Sequence, residues 1–142
     1  MKVLHLARTD NRLGAPRAAY RLHKTMRLLG IDSQMYVADK TTDDPSVHTG
    51  SSQIRQLWYR FSPYFEKLPF IFTKISHDEI RSSALFGLPL NKTISKFQAD
   101  ITQLHWVTAG FLSIENIGQL KGPLVWRLPD MWAFCGSEHY AW

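Results

Sequence analysis

The side chains able to do chemistry crowd into residues 101–142, where four tryptophans and two histidines sit among short strand-like runs. In Gln103-Leu104-His105-Trp106, alternation puts Gln103 and His105 on one side of a strand and Leu104 and Trp106 on the other. A histidine at a strand end can hydrogen-bond a hydroxyl or a phosphate, and a tryptophan face suits the C–H surface of a sugar. A core tryptophan beside a structurally bonded histidine would read the same way. Asp130-Met131-Trp132 and Cys135-Gly136-Ser137-Glu138-His139-Tyr140 follow a second strand-like run ending near Leu128. Asp130 can orient a hydroxyl, act as a base or cap the next turn. Cys135 and His139 raise a nucleophile or a metal, but further ligands are too few. No third group that would orient the histidine stands at a meaningful spacing.

A separate candidate is Asn11-Arg12-Leu13-Gly14, which leads into a helical pattern with Arg17 in its first turn. Free N–H groups, the positive end of the helix dipole and a glycine that lets a ligand approach suit a phosphate or a sugar hydroxyl. With one glycine this is no GxGxxG, and an ordinary strand-to-helix turn has the same appearance.

These residues need a sheet to position them. Lys2 to Ala7 read as a strand, and Ala15, Ala18, Ala19, Leu22, Met26 and Leu29 recur at helical spacing, with Pro16 in the first turn and Gly30 as the stop. Ser33 to Ala38 read as a second strand, so the three make a βαβ unit with parallel strands. Asp39 to Ser52 read as a polar surface loop. In residues 53–97, Trp58, Tyr59, Phe61, Tyr64, Phe65, Phe70 and Phe72 mix with Pro63 and Pro69. The pattern predicts short helices broken by prolines, serving as core, as an acceptor-binding flap or as a surface against a membrane. Strands then return at Ile101–Trp106 and Leu124–Leu128, around a helix over Phe111–Leu120 that starts near Thr108 to Gly110. The expectation is one α/β domain with a Rossmann-like parallel sheet of at least four strands and flanking helices.

With 44% apolar residues the chain can bury one ordinary core. A single cysteine excludes an internal disulfide framework and a multi-thiolate zinc site, and no run is long enough to span a bilayer. A cytoplasmic location is expected, with peripheral attachment at the inner face of the membrane left open. The net charge of +5 favours phosphate-bearing ligands, nucleic acid or an anionic membrane.

MKVLHLA, GAPRAAYRLHKTMRLLGIDSQMYVADK, LPLNKTI, ADITQLHWVTAGFLSIENIGQL and GPLVWRLPDMWAFCGSEHY, in this order, resemble the N-terminal half of bacterial family-four glycosyltransferases, which have the two-domain GT-B architecture. The resemblance implies retaining transfer of a sugar from a nucleotide-diphosphate sugar to a polysaccharide or lipid-linked acceptor in cell-surface glycan synthesis. It implies no required metal and no cofactor beyond the nucleotide-sugar co-substrate. Under it, Asp130 and His105 are the candidate catalytic residues and Gly14 and Arg17 the donor phosphate and sugar contacts. Trp106, Trp132, Glu138 and His139 are the acceptor side. The family's glycine-rich loop is thinned to Leu13-Gly14-Ala15-Pro16, Pro129 stands where many members carry histidine, and CGSEHY replaces TGGCHY.

Residues 1–142 would then be an incomplete, acceptor-side N-terminal domain, with 53–97 as an irregular aromatic-rich insertion. The donor-binding domain would be missing, or supplied by a separately encoded subunit, and the chain alone inactive. A second reading is a standalone basic module that binds nucleic acid or anionic membrane without catalysis. Its basic residues are scattered, so no nucleic-acid partner is expected.

Overall fold

The computed structural model describes residues 1–71 and 81–140; Phe72 and Trp142, counted above among the aromatic residues, lie outside them. Five strands, β1 (Lys2–Thr9), β2 (Asp32–Asp39), β3 (Val47–Thr49), β4 (Ile101–Leu104) and β5 (Leu124–Trp126), form one sheet in the order β3-β2-β1-β4-β5. Every pairing is parallel, and the helices lie on both faces, so the fold is α/β and Rossmann-like.

Helix α1 (Gly14–Leu28) is the crossover between β1 and β2. It buries Pro16, Ala19 and His23 against Ala7, Met35, Val37 and Val47. Gly30, at φ 78°, closes it: its N–H donates to the Arg27 carbonyl and the Ile31 N–H to that of Met26. Leu29, expected on the buried stripe, falls beyond the last helical turn and is exposed. On the opposite face, Leu4, Leu6, Tyr36 and Leu104 pack against Tyr59, Leu90, Phe111 and Leu112. Each fully buried side chain of this size contributes about 1.5–3 kcal/mol.

Four sequence expectations change. The loop over Asp39–Ser52 contains β3, whose Val47 is the only apolar residue and whose seven-residue link from β2 holds no helix. Helix α2 (Gln53–Phe65) is continuous rather than broken, because Pro63 sits in its last turn. The proline has no N–H to give the Tyr59 carbonyl one turn back, and Arg8 Nη2 donates to that carbonyl instead, at 2.5 Å. The helix expected over Phe111–Leu120 is only α4 (Ile114–Gly118); α3 (Asn91–Ile94) is similarly short. Ala109 and Gly110 hold positive φ and send Phe111 and Leu112 into the core before Ser113 caps α4, in a reciprocal box with Asn116. Strands β4 and β5 also end two residues early, at Leu104 and Trp126.

Gly110 fixes α2 on the body of the protein. Its φ is +73°, and a Cβ there would meet Ser62 Cβ at 2.2 Å. Gly118 has open space around it. Gly110→Ala should therefore lower the unfolding free energy by about 2–4 kcal/mol in urea titrations, whereas Gly118→Ala should leave it unchanged or slightly raised.

Candidate functional site

Between β1 and β4 the strand order reverses, and the connections leave for opposite faces. Parallel sheets open a crevice at the carboxyl ends of their strands at such a point. Arg8 N–H bonds the Trp106 carbonyl and His105 N–H that of Leu6, so the chain after β4 stays alongside β1 up to the rim. A cavity of about 640 Å³ opens there among Arg8, Arg12, Leu13, Arg17, Asp39 and Trp106. A second of about 280 Å³ lies against Gly14, Pro16, Trp106, Asp130 and His139. A third of about 440 Å³, between Lys40, Tyr59 and Arg60, shares Arg8 and Asp39 with the first.

The start of α1 faces the first two cavities. No side chain caps it, and Leu13 at the cap position has φ 68° and ψ 175°, a backbone region adopted almost only by glycine. Asp10, the obvious capping side chain nearby, is turned away and completely buried. It accepts from the backbone N–H and side-chain hydroxyl of both Thr41 and Thr42. Burial alone would raise its pKa; those hydrogen bonds outweigh it and hold the carboxyl below its usual value. Asp10 therefore ties the end of β1 to the end of β2 and leaves the helix terminus open to an external anion.

Arg8 is 9% exposed. Beyond its bond to Tyr59, its guanidinium lies 5.5 Å from the Tyr59 ring centroid, and its Nη1 is buried without a partner. Burial lowers its pKa, partly offset by Asp39 and Tyr59. A desolvated positive charge behind an uncapped helix start and Arg17 favours an oxyanion in the cavity they line.

Across the crevice Asp130 and His139 form a pair. Asp130 Oδ2 accepts from His139 Nδ1 at 2.5 Å, and Asp130 Oδ1 accepts from the Trp132 N–H. His139 Nε2 lies 3.0 Å from Ser82 Oγ. In the tautomer whose Nδ1–H donates to Asp130, Nε2 accepts the hydrogen bond of the serine hydroxyl. The half-buried Trp106 indole comes within 3.4 Å of the same Nδ1, a longer contact that the aspartate outcompetes. The order serine, histidine, aspartate is that of an acyl-transfer triad. Ser82 is 4% exposed, however, and lines none of these cavities, so its hydroxyl pins the imidazole and meets no substrate. The third orienting group absent from the sequence reading is thus Asp130, and the long-range partner is Ser82. Cys135 takes no part.

Gly14, Arg17, Trp106, Asp130 and His139 gather at these cavities. His105 and Trp132 reach only a void of about 10 Å³, room for one water at most. Trp132 Nε1 donates to the Ser82 carbonyl, and Glu138 Oε1 accepts from Arg81 Nη2 at 2.8 Å. The structure therefore turns Trp132 inward and occupies Glu138. Arg8, Asp10 and Ser82 were missed; for the first two, charges at the end of an apolar strand were an available signal. Among the described residues no cluster of three or more His, Cys, Asp or Glu is placed to hold a metal, and no helix is long and apolar enough to cross a membrane.

His105 belongs to a buried network. Its Nε2 lies 3.0 Å from His5 Nδ1, and the rings stack at 5.3 Å. His23 meets His5 edge-on and binds Ser33 Oγ and Ser46 Oγ. Burial lowers all three, to about 4 for His5 and His23 and about 3 for His105, with His23 adding repulsion on His5 and His5 on His105.

No family model, curated protein or solved structure matches this chain.

Two measurements follow from this geometry. His5, His23 and His105 each titrate near 6.5 when unfolded and lower when folded, so the unfolded chain binds more protons between the two values. Stability is complete above pH about 6.5 and falls as pH drops toward 4, by up to on the order of 3 kcal/mol per histidine. Urea midpoints taken across that window should fall with pH, less steeply in His5→Gln. Leu13→Gly should raise the thermal midpoint, by roughly 1 kcal/mol of relieved strain.

Proposed function

We propose that the crevice between β1 and β4 is the substrate-binding wall of a glycosyltransferase of the family-four, GT-B kind, acting on a nucleotide-diphosphate sugar and a glycan or lipid-linked acceptor. The observation that carries this reading is the meeting, at one strand-order reversal, of an uncapped helix start flanked by Arg8 and Arg17 with the Asp130–His139 pair. The first half suits a diphosphate; the second suits a sugar or acceptor hydroxyl. Leu13 adds support, since its backbone has the glycine-type conformation at the position where the family's glycine-rich loop would stand.

In this reading the amides of Gly14 and Ala15, with Arg17, hold the donor's phosphates, and the buried Arg8 guanidinium adds positive charge behind them. Asp130, positioned by His139, accepts a hydrogen bond from a substrate hydroxyl and aligns it. Ser82 holds His139, and the Trp106 face packs on a sugar ring. His105 acts through the β1–β4 packing. The reaction requires a facing donor-binding wall, from a further domain or a separate subunit, to hold the donor in reacting geometry. The expected setting is the cytoplasmic side of the membrane.

Titration with nucleoside diphosphates and their sugar conjugates tests the phosphate half, since the chain alone carries that contact. Arg17→Ala should weaken binding about tenfold, the loss of one charge-assisted hydrogen bond, and added salt should weaken it further. Transfer assays with the facing wall present test the other half. Asp130→Asn should lower kcat about 10²-fold or more with little change in donor affinity. Absence of nucleotide binding by the chain together with absence of transfer when the facing wall is present would end the transferase reading.

A further inference from the structure

The outward side of α2 and the turn after it carries Ile54, Leu57, Phe61, Tyr64, Leu68 and Ile71, each between 46% and 77% exposed. They are spaced 3, 4, 3, 4 and 3 residues apart, so they form one continuous apolar stripe. The helix cannot roll to bury it. Trp58 Nε1 donates to the Gly110 carbonyl, Ser62 Oγ to that of Ala109, and Gly110 leaves no slack against Ser62.

A coiled-coil partner would need the same spacing sustained over three or four heptads, but the regular helix ends at Phe65 and Pro69 follows. The charges beside the stripe point to a different occupant. Arg60 and Lys67 are exposed, and the only acid in residues 53–71, Glu66, is turned inward. Its Oε2 accepts from Ser83 Oγ and the Ala84 N–H. The face is thus aromatic and aliphatic, and within residues 53–71 the charged side chains exposed beside it are cationic, the composition of helices that lie in the headgroup layer of an anionic bilayer.

We propose that α2 and residues 66–71 are a monotopic membrane-docking face, seated in an anionic lipid surface through Leu57, Phe61, Tyr64 and Leu68 and held there by Arg60 and Lys67. Arg60 also lines the cavity that contains Arg8, Lys40 and Asp39, so that cavity would open at the lipid headgroups. This assignment stands independently of the sugar-transfer reading.

Vesicle co-sedimentation tests it without nucleotide or sugar, so its outcome does not depend on that of the nucleotide titrations. The whole chain should bind vesicles of phosphatidylglycerol mixed with phosphatidylcholine, bind phosphatidylcholine alone poorly, and be released by salt. The double variants Leu57→Ser/Phe61→Ser and Arg60→Gln/Lys67→Gln should each lower partitioning about tenfold or more while circular dichroism shows the fold retained. No binding to anionic vesicles, or binding that neither folded variant weakens, would overturn the proposal. So would a dimer that Leu57→Ser/Phe61→Ser dissociates in the absence of vesicle binding, which would assign the stripe to a second copy.

Discussion

β1 is hydrogen-bonded along both edges, to β2 from Lys2 to Thr9 and to β4 from Val3 to Leu6, with six consecutive buried residues between its half-buried ends. Parallel pairing on both sides obliges the next two strands to be reached by crossovers on opposite faces. That constraint places α1 on one side and α2 with α4 on the other, and opens the rim above β1 and β4. Arg8, the start of α1, Trp106 and Asp130 meet because of it, although they are far apart in the chain.

The center of this sheet is unusually polar for a doubly covered parallel strand. His5 sits completely buried among apolar neighbours and finds its partners in His105 and His23, while Asp10 closes the strand with four donors from Thr41 and Thr42. Buried polar groups of this kind stabilise only when their partners are in place, so they fix register more strictly than aliphatic packing does. A one-residue slip of β4 against β1 would separate His105 from His5 and take the rim apart.

The β1–α1–β2 unit was legible because its periods of two and 3.6 are uninterrupted and Gly30 marks the stop. β3 was not, since a three-residue strand with one apolar side chain leaves no pattern, and its polar link is organised by Asp44 accepting from Ser46. α4 was overextended because the positive φ at Ala109 has no compositional signature. Asp130 and His139 could be picked out as types, but their pairing depends on a turn in which the Met131 N–H bonds the His139 carbonyl. Ser82 was invisible, since the Ser82 N–H reaches the Ser137 carbonyl only in three dimensions.

Pro63 leaves the Tyr59 carbonyl without its helical donor, and Arg8 fills the vacancy. A backbone link has in effect been exchanged for an ionic one. An amide N–H has a single partner and ignores its electrical surroundings, whereas a guanidinium has five donors and responds to every charge nearby. The same group walls two cavities and holds the last turn of α2. A negative charge settling beside it would compete with that carbonyl for the guanidinium, and by reciprocity a displacement of the helix there would change the affinity for that charge. Amide bonds still close the end of α2, from Glu66 N–H to the Ser62 carbonyl, but the bond they leave out ties the helix to the rim.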